Sequence, residues 1–258
     1  MDRQEIMQAV QRHHEIVESK GYHVVMTSLV GSQNYNLDTE NSDIDTYSFI
    51  LPSFEDLARG EPEKAGLIFA DDGHCNFKDI RFALNLLKKA SPNSVEYFAS
   101  KYKVYNPLYK DVLEPYLEYE PNLWCMIHCN YGHMLGAIAG MARQLTKRNM
   151  PAGKRFSHAL RLDDMVYNFF NSENEVAPIL ELRPGGDRDL ALQAKLDTNP
   201  ANDNYYNIEC EAIANKLAEF ANNWTTNQFY ESDERDGMEL INELQEELFK
   251  KYLMETVK

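Results

Sequence analysis

The residues with the clearest chemical potential are Gly31-Ser32, a ten-residue polar stretch, and then Asp43-Ile44-Asp45. Two aspartates one residue apart at the start of a strand point to the same face, because strand side chains alternate with period two, so both carboxylates can meet one metal site. Hard oxygen ligands of this kind suit Mg²⁺, which takes one or two protein carboxylates and completes its shell with phosphate oxygens and water. A glycine ahead of them lets the backbone approach a phosphate closely, and the following amides and hydroxyl can donate to it. A phosphate cradle beside a divalent-metal seat is the equipment for phosphoryl or nucleotidyl transfer.

A second group is cationic. Lys154, Ser157, His158 and Arg161 recur at three-to-four spacing, one face of a helix in an otherwise acidic chain. Such a face either meets a polyanion or is solvated and paired with Asp163 and Asp164. Cys125, His128, Cys129 and His133 could be drawn as a zinc site, but on one helix they would span about 12 Å, too far for a single tetrahedral ion. Packing is the expected role for these four.

The elements that must position these residues follow from periodicity. Ile6, Ala9, Val10, Ile16 and Val17 mark a helix stopped at Gly21, and β-branched residues 23–30 mark a strand ending at Gly31. Residues 33–42 read as a loop with little reason to pack. A second strand runs from Ile44 to Leu51, and residues 67–78 form a hairpin turning at Asp71-Asp72-Gly73. Asp79 then opens a helix that ends near Ser91-Pro92. Beyond Pro107 the pattern is helical over 123–148, 154–171, 190–196, 208–224 and 237–255, with breaks at Pro151, Pro178, Pro184-Gly185-Gly186 and Pro200. The expectation is an α+β chain, a mixed sheet with helices at 1–106 followed by an α-helical domain at 107–258.

Strand, Gly-Ser, polar loop and Asp-x-Asp on the next strand resemble the signature of the DNA polymerase β nucleotidyltransferase superfamily. The stretch from Asp79 through Arg81 and the leucine-rich helix to Glu96 is similar to one in bacterial and phage members of that superfamily, with Ser91-Pro92-Asn93 where they usually carry Asn-Pro. The block from Lys154 to Arg161 is similar to a second stretch of theirs. The resemblance implies a nucleotidyltransferase fold at 1–106 and transfer of a nucleoside monophosphate from an NTP to a hydroxyl acceptor, with release of pyrophosphate. It implies two Mg²⁺ ions, with Mn²⁺ able to stand in. Asp43 and Asp45 would be the catalytic metal ligands, joined by a third carboxylate from a later strand. Asp71, Asp72, Asp79 and Glu96 are the candidates; Asp79, at the end of the returning strand, is the expected one, with a helix N-cap as its competing role. Gly31 and Ser32 would hold the β- and γ-phosphates, and Lys154, His158 and Arg161 would face them across a cleft. Arg183 is a weaker addition. The acceptor stays open among a small molecule, a protein hydroxyl and an RNA end. A non-catalytic nucleotide-binding or toxin-neutralising module that kept the fold is the alternative.

Composition narrows the partners. With 41 acidic against 26 basic residues the 258-residue chain carries a formal charge of −15, which disfavours general binding of duplex DNA and a processive template-dependent polymerase. The hydrophobic share of 43% is that of a folded protein, and no apolar run approaches the ~18 residues a membrane helix needs. A charged N-terminus and four cysteines with no disulfide pattern point to a soluble, cytoplasmic protein.

Overall fold

The computed structural model describes residues 2–172, 175–176, 179–182, 187–225 and 231–256. Helix α1 (Arg3–Ser19) opens with a capping box between Asp2 and Glu5 and is followed by β1 (His23–Val30). Strand β2 (Ile44–Leu51), helix α2 (Phe54–Arg59), and the hairpin of β3 (Ala65–Ala70) and β4 (Gly73–Asp79) come next. Helices α3 (Ile80–Lys88) and α4 (Pro92–Ala99) lead to the short β5 (Lys103–Tyr105). The sheet order is β3-β4-β2-β1-β5, with β2 and β4 parallel and the other pairs antiparallel. Helical structure then dominates: α5 (Lys110–Leu117), α6 (Glu120–His128), α7 (Tyr131–Leu145), α8 (Ala152–Asn171), α9 (Asp187–Leu196), α10 (Asp203–Thr225) and α11 (Glu231–Thr256). The fold is α+β, as expected. No helix among the described residues is long and apolar enough to cross a membrane.

Alternation assigns the two sheet faces. Ile44 and Ile50 of β2, with Cys75 and Phe77 of β4, pack among Val10 and Val17 of α1 and their neighbours. Phe49 and Leu51, from the opposite parity of β2, join α3, α4 and the later helices in the largest apolar cluster. That cluster runs without interruption from Val25 in the sheet to Tyr252 in α11, so apolar packing continues across the expected division at 106/107, which falls just after β5.

Two expected elements differ. The stretch 33–42 is not an unpacked loop: Ser32–Tyr35 is a 3-10 turn in which Gln33, Asn34 and Tyr35 are buried, as is Leu37. Polar side chains make this possible by satisfying the backbone they bury; Asn34 Nδ2 donates to Leu29 O at 2.8 Å, and its Oδ1 accepts from Ser100 Oγ at 2.9 Å. The single helix expected over 123–148 is broken at Cys129-Asn130 into α6 and α7.

Candidate active site

Gly31 ends β1 at φ +93°, ψ −154°, a conformation costly for any residue with a Cβ. Its amide donates to a Glu96 carboxylate oxygen at 2.5 Å, and Glu96 is only 9% exposed. Stacking of Tyr97 on Tyr47 and of Phe98 on Phe49 fixes α4 against the sheet and so delivers Glu96 to this turn. One step further, Gln33 Nε2 donates to Asp43 O at 2.7 Å and holds the backbone that carries the first aspartate.

Asp45 shares the parity of Tyr47 and Phe49, so its carboxylate turns to the helical side of the sheet. Its Oδ1 lies 2.8 Å from His74 Nδ1, and its Oδ2 sits 3.9 Å from where a Cβ on Gly31 would be. The His74 contact depends on Gly73. A Cβ there would overlap the Ile44 carbonyl, so only glycine lets β4 start this close to β2.

Gly31, Ser32, Asp43 and Asp45 line one wall of a cavity of about 310 Å³, and Lys154, Ser157, His158 and Lys195 line the other. Lys195 comes from α9, which approaches α8 closely because Gly153 leaves room for the Ala194 carbonyl. Its Nζ donates to Leu37 O at 2.6 Å; burial and then the neighbouring Lys154 lower its pKa, with Asp38 opposing. Lys154 makes no ion pair among the described residues. The acids that could have neutralised its helix are engaged elsewhere: Asp163 with Lys216 at 2.7 Å, Asp164 with Asn168.

His158 is pushed down to about 3, first by burial and then by Arg161, Lys154, Lys195 and Arg148. It is a neutral hydrogen-bonding group at pH 7. Because the unfolded imidazole binds its proton near pH 6.5, the unfolded chain takes up more protons in between. The contribution to stability is therefore complete above about pH 6.5 and is lost as pH falls toward 3, amounting to at most about 4 to 5 kcal/mol. We expect urea unfolding of the parent to lose about 3 kcal/mol more between pH 7 and 4 than that of His158→Gln. Parallel pH profiles would remove His158 as the source.

The structure brings Asp43, Asp45, Gly31, Ser32, Lys154 and His158 together. Arg161 does not line this cavity. Its guanidinium stacks on the Tyr35 ring at 4.1 Å and borders a neighbouring cavity instead. Asp79 is not brought to the aspartate pair either. In the β2–β4 register Asp45 pairs with His74 and Ile50 with Asp79, five residues along, about 16 Å at ~3.3 Å per residue. Asp79 also has the parity of Cys75 and Phe77, the α1 side. It is 1% exposed, accepts from the Arg81 amide as the N-cap of α3, and binds the Arg81 guanidinium through both oxygens at 3.0 and 2.6 Å. Asp79→Ala should therefore lower stability by about 2 to 4 kcal/mol, from the lost cap and a partly buried arginine left unpaired, while Mg²⁺-dependent NTP binding persists. Loss of binding without loss of stability, in urea unfolding and calorimetry, would return Asp79 to the site.

Asp72 is held by Arg12 and His13, and Asp71 is exposed in the hairpin turn. Arg183 lies outside the described residues. The Cys/His set is split between α6 and α7, with His128 in an aromatic stack between Trp124 and Tyr131. None of the four cysteines forms a disulfide. Sequence reasoning missed Lys195, His74 and Gln33, and weighed Glu96 as a candidate third carboxylate; only the Asp-x-Asp parity carried a local signal.

Among the described residues no three His, Cys, Asp or Glu side chains are grouped to hold a metal ion. Two carboxylates on the wall of an open cavity nevertheless fit an ion such as Mg²⁺ that draws its remaining ligands from phosphate and water. No family model matches the chain, and no curated protein sequence matches it.

Proposed function

We propose that the protein is a Mg²⁺-dependent nucleotidyltransferase that moves a nucleoside monophosphate from an NTP to a hydroxyl acceptor. The observation that carries this reading is the cavity itself: two carboxylates face two lysines that make no ion pair with a carboxylate among the described residues, in a chain of net charge −15. Cations left unpaired in such a chain are matched to a polyanion, and carboxylates beside a polyanion are matched to a divalent ion between them. Gly-Ser at the end of β1 and Asp-x-Asp at the start of the adjacent antiparallel β2 support the resemblance to the DNA polymerase β superfamily.

In this reading Asp43 and Asp45 hold Mg²⁺, which when bound neutralises phosphate charge and orients it. Ser32 donates to phosphate oxygens, while Lys154 and Lys195 balance charge on the departing pyrophosphate. His158 donates or accepts a hydrogen bond without adding charge. Gln33 and Glu96 position Asp43 and the Gly31 turn. The acceptor oxygen bonds to the α-phosphorus, the bond to the bridging oxygen breaks, and pyrophosphate and a proton leave. Incubation of the protein and a cell extract with Mg²⁺ and α- or γ-labelled NTPs tests the reaction. Label retained on acceptor from the α position alone is expected; retention from γ would mean phosphoryl transfer instead.

A further inference from the structure

Beside the first cavity, and sharing His158 with it, lies a second of about 260 Å³, bordered by Arg148, Arg161, Gln144 and Asn93. Among the described residues no carboxylate lines it. Neither arginine makes an ion pair with a carboxylate among the described residues, and Arg161 Nε is buried without a hydrogen-bond partner. Tyr35 takes one face of the Arg161 guanidinium, which leaves the donors at its edge for a ligand. Asn93 stands in the first turn of α4, whose N-cap Ser91 supplies no side-chain hydrogen bond to the helix amides. Two guanidinium groups, two amide side chains and a neutral imidazole make a cavity rich in donors and poor in negative charge. Arginine forks suit phosphate, and both of these arginines are among the four cations that, after burial, depress His158.

We infer that this second cavity is a phosphate subsite, separate from the site of the NTP, and that it holds a phosphate group carried by the acceptor. The subsite stands on its own residues; giving its occupant to the acceptor rests on the nucleotidyl-transfer reading. A phosphorylated acceptor anchored here would lie next to the Asp43 and Asp45 cavity, with which this one shares His158.

The test begins without Mg²⁺ or nucleotide. Inorganic phosphate is titrated by calorimetry into the parent, Arg148→Gln and the double variant Lys154→Ala with Lys195→Ala, and His158 is followed by NMR. Phosphate binding should survive in the lysine double variant and raise the pKa of its His158. It should weaken tenfold or more in Arg148→Gln, whose affinity for MgATP should stay within about twofold of the parent. Binding lost in the lysine variant but unchanged in Arg148→Gln would place phosphate in the first cavity only, and absence of binding in every protein would equally overturn the subsite. In a second arm, α-label transfer is compared between extract and extract treated with phosphatase that is then inactivated. Loss of transfer after the treatment supports a phosphorylated acceptor. Equal transfer, with phosphate still bound through Arg148, would make the occupant a free phosphate and overturn the acceptor assignment. Phosphate binding with no transfer by the parent at all would end the catalytic reading while leaving the subsite.

Discussion

Replacement of Asp43 and Asp45 together by asparagine should abolish nucleotide transfer and Mg²⁺-dependent NTP binding while leaving the fold intact. Both side chains border the cavity, and neither is covered: Asp43 is exposed, and the Asp45–His74 pair is about 40% exposed on each side. A hydrogen bond that open to water contributes at most about 1 kcal/mol, and removing two neighbouring negative charges relieves repulsion. The backbone that carries them is held by Gln33 at Asp43 O and by the β1–β2 ladder, which asparagine does not disturb. Function should respond very differently, since the amides are neutral and poor ligands for a hard divalent ion, and a loss of several orders of magnitude in transfer is expected. Thermal unfolding, calorimetry with MgATP and the α-label assay on the same preparation decide the matter. Transfer at a rate near that of the parent would refute the proposed site.

How much of this was legible beforehand depends on how far along the chain the determining contact reaches. Gly31, Ser32, Asp43 and Asp45 could be read because they lie within one strand-turn-strand unit, where alternation alone fixes which carboxylates share a face. Asp79 could not be placed that way. Its type and its position after a strand fit a ligand as well as a cap, and only the parallel register of β4 on β2, set by a non-local crossover, puts it at the far end of the sheet and on the α1 face. Helical periodicity misled at Arg161 for a different reason. Residues seven apart do share a face with Lys154, but they are about 10.5 Å apart along the axis, which is enough to carry Arg161 from one cavity into the next. Lys195 gave no signal, because its place follows from the close approach of α9 to α8 that Gly153 permits. The burial of 33–37 was hidden by its polarity, since Asn34 and Gln33 look solvated until the carbonyls they cap are known.

The strength of the cationic wall should show in how affinity depends on phosphate number. Lys154 and Lys195 reach the cavity from different helices, and each contributes one charge-assisted contact, worth about 1.5 to 3 kcal/mol, to an anion between them. Lys154→Ala and Lys195→Ala should each raise the ATP dissociation constant about ten- to a hundredfold, and together about a hundred- to ten-thousandfold if the contacts are independent. Lys195 carries an added cost in the free protein, where burial and Lys154 already disfavour its charge; phosphate would relieve that, so Lys195→Ala should raise the affinity of the remaining protein for neutral adenosine slightly or not at all. ADP should fall between ATP and adenosine in sensitivity. Arg148→Gln belongs in the same series as a control, since it lies outside this cavity. Ratios that stay flat across ATP, ADP and adenosine for both lysine variants would show a solvated surface face, and the polyanion would have to be sought away from α8 and α9.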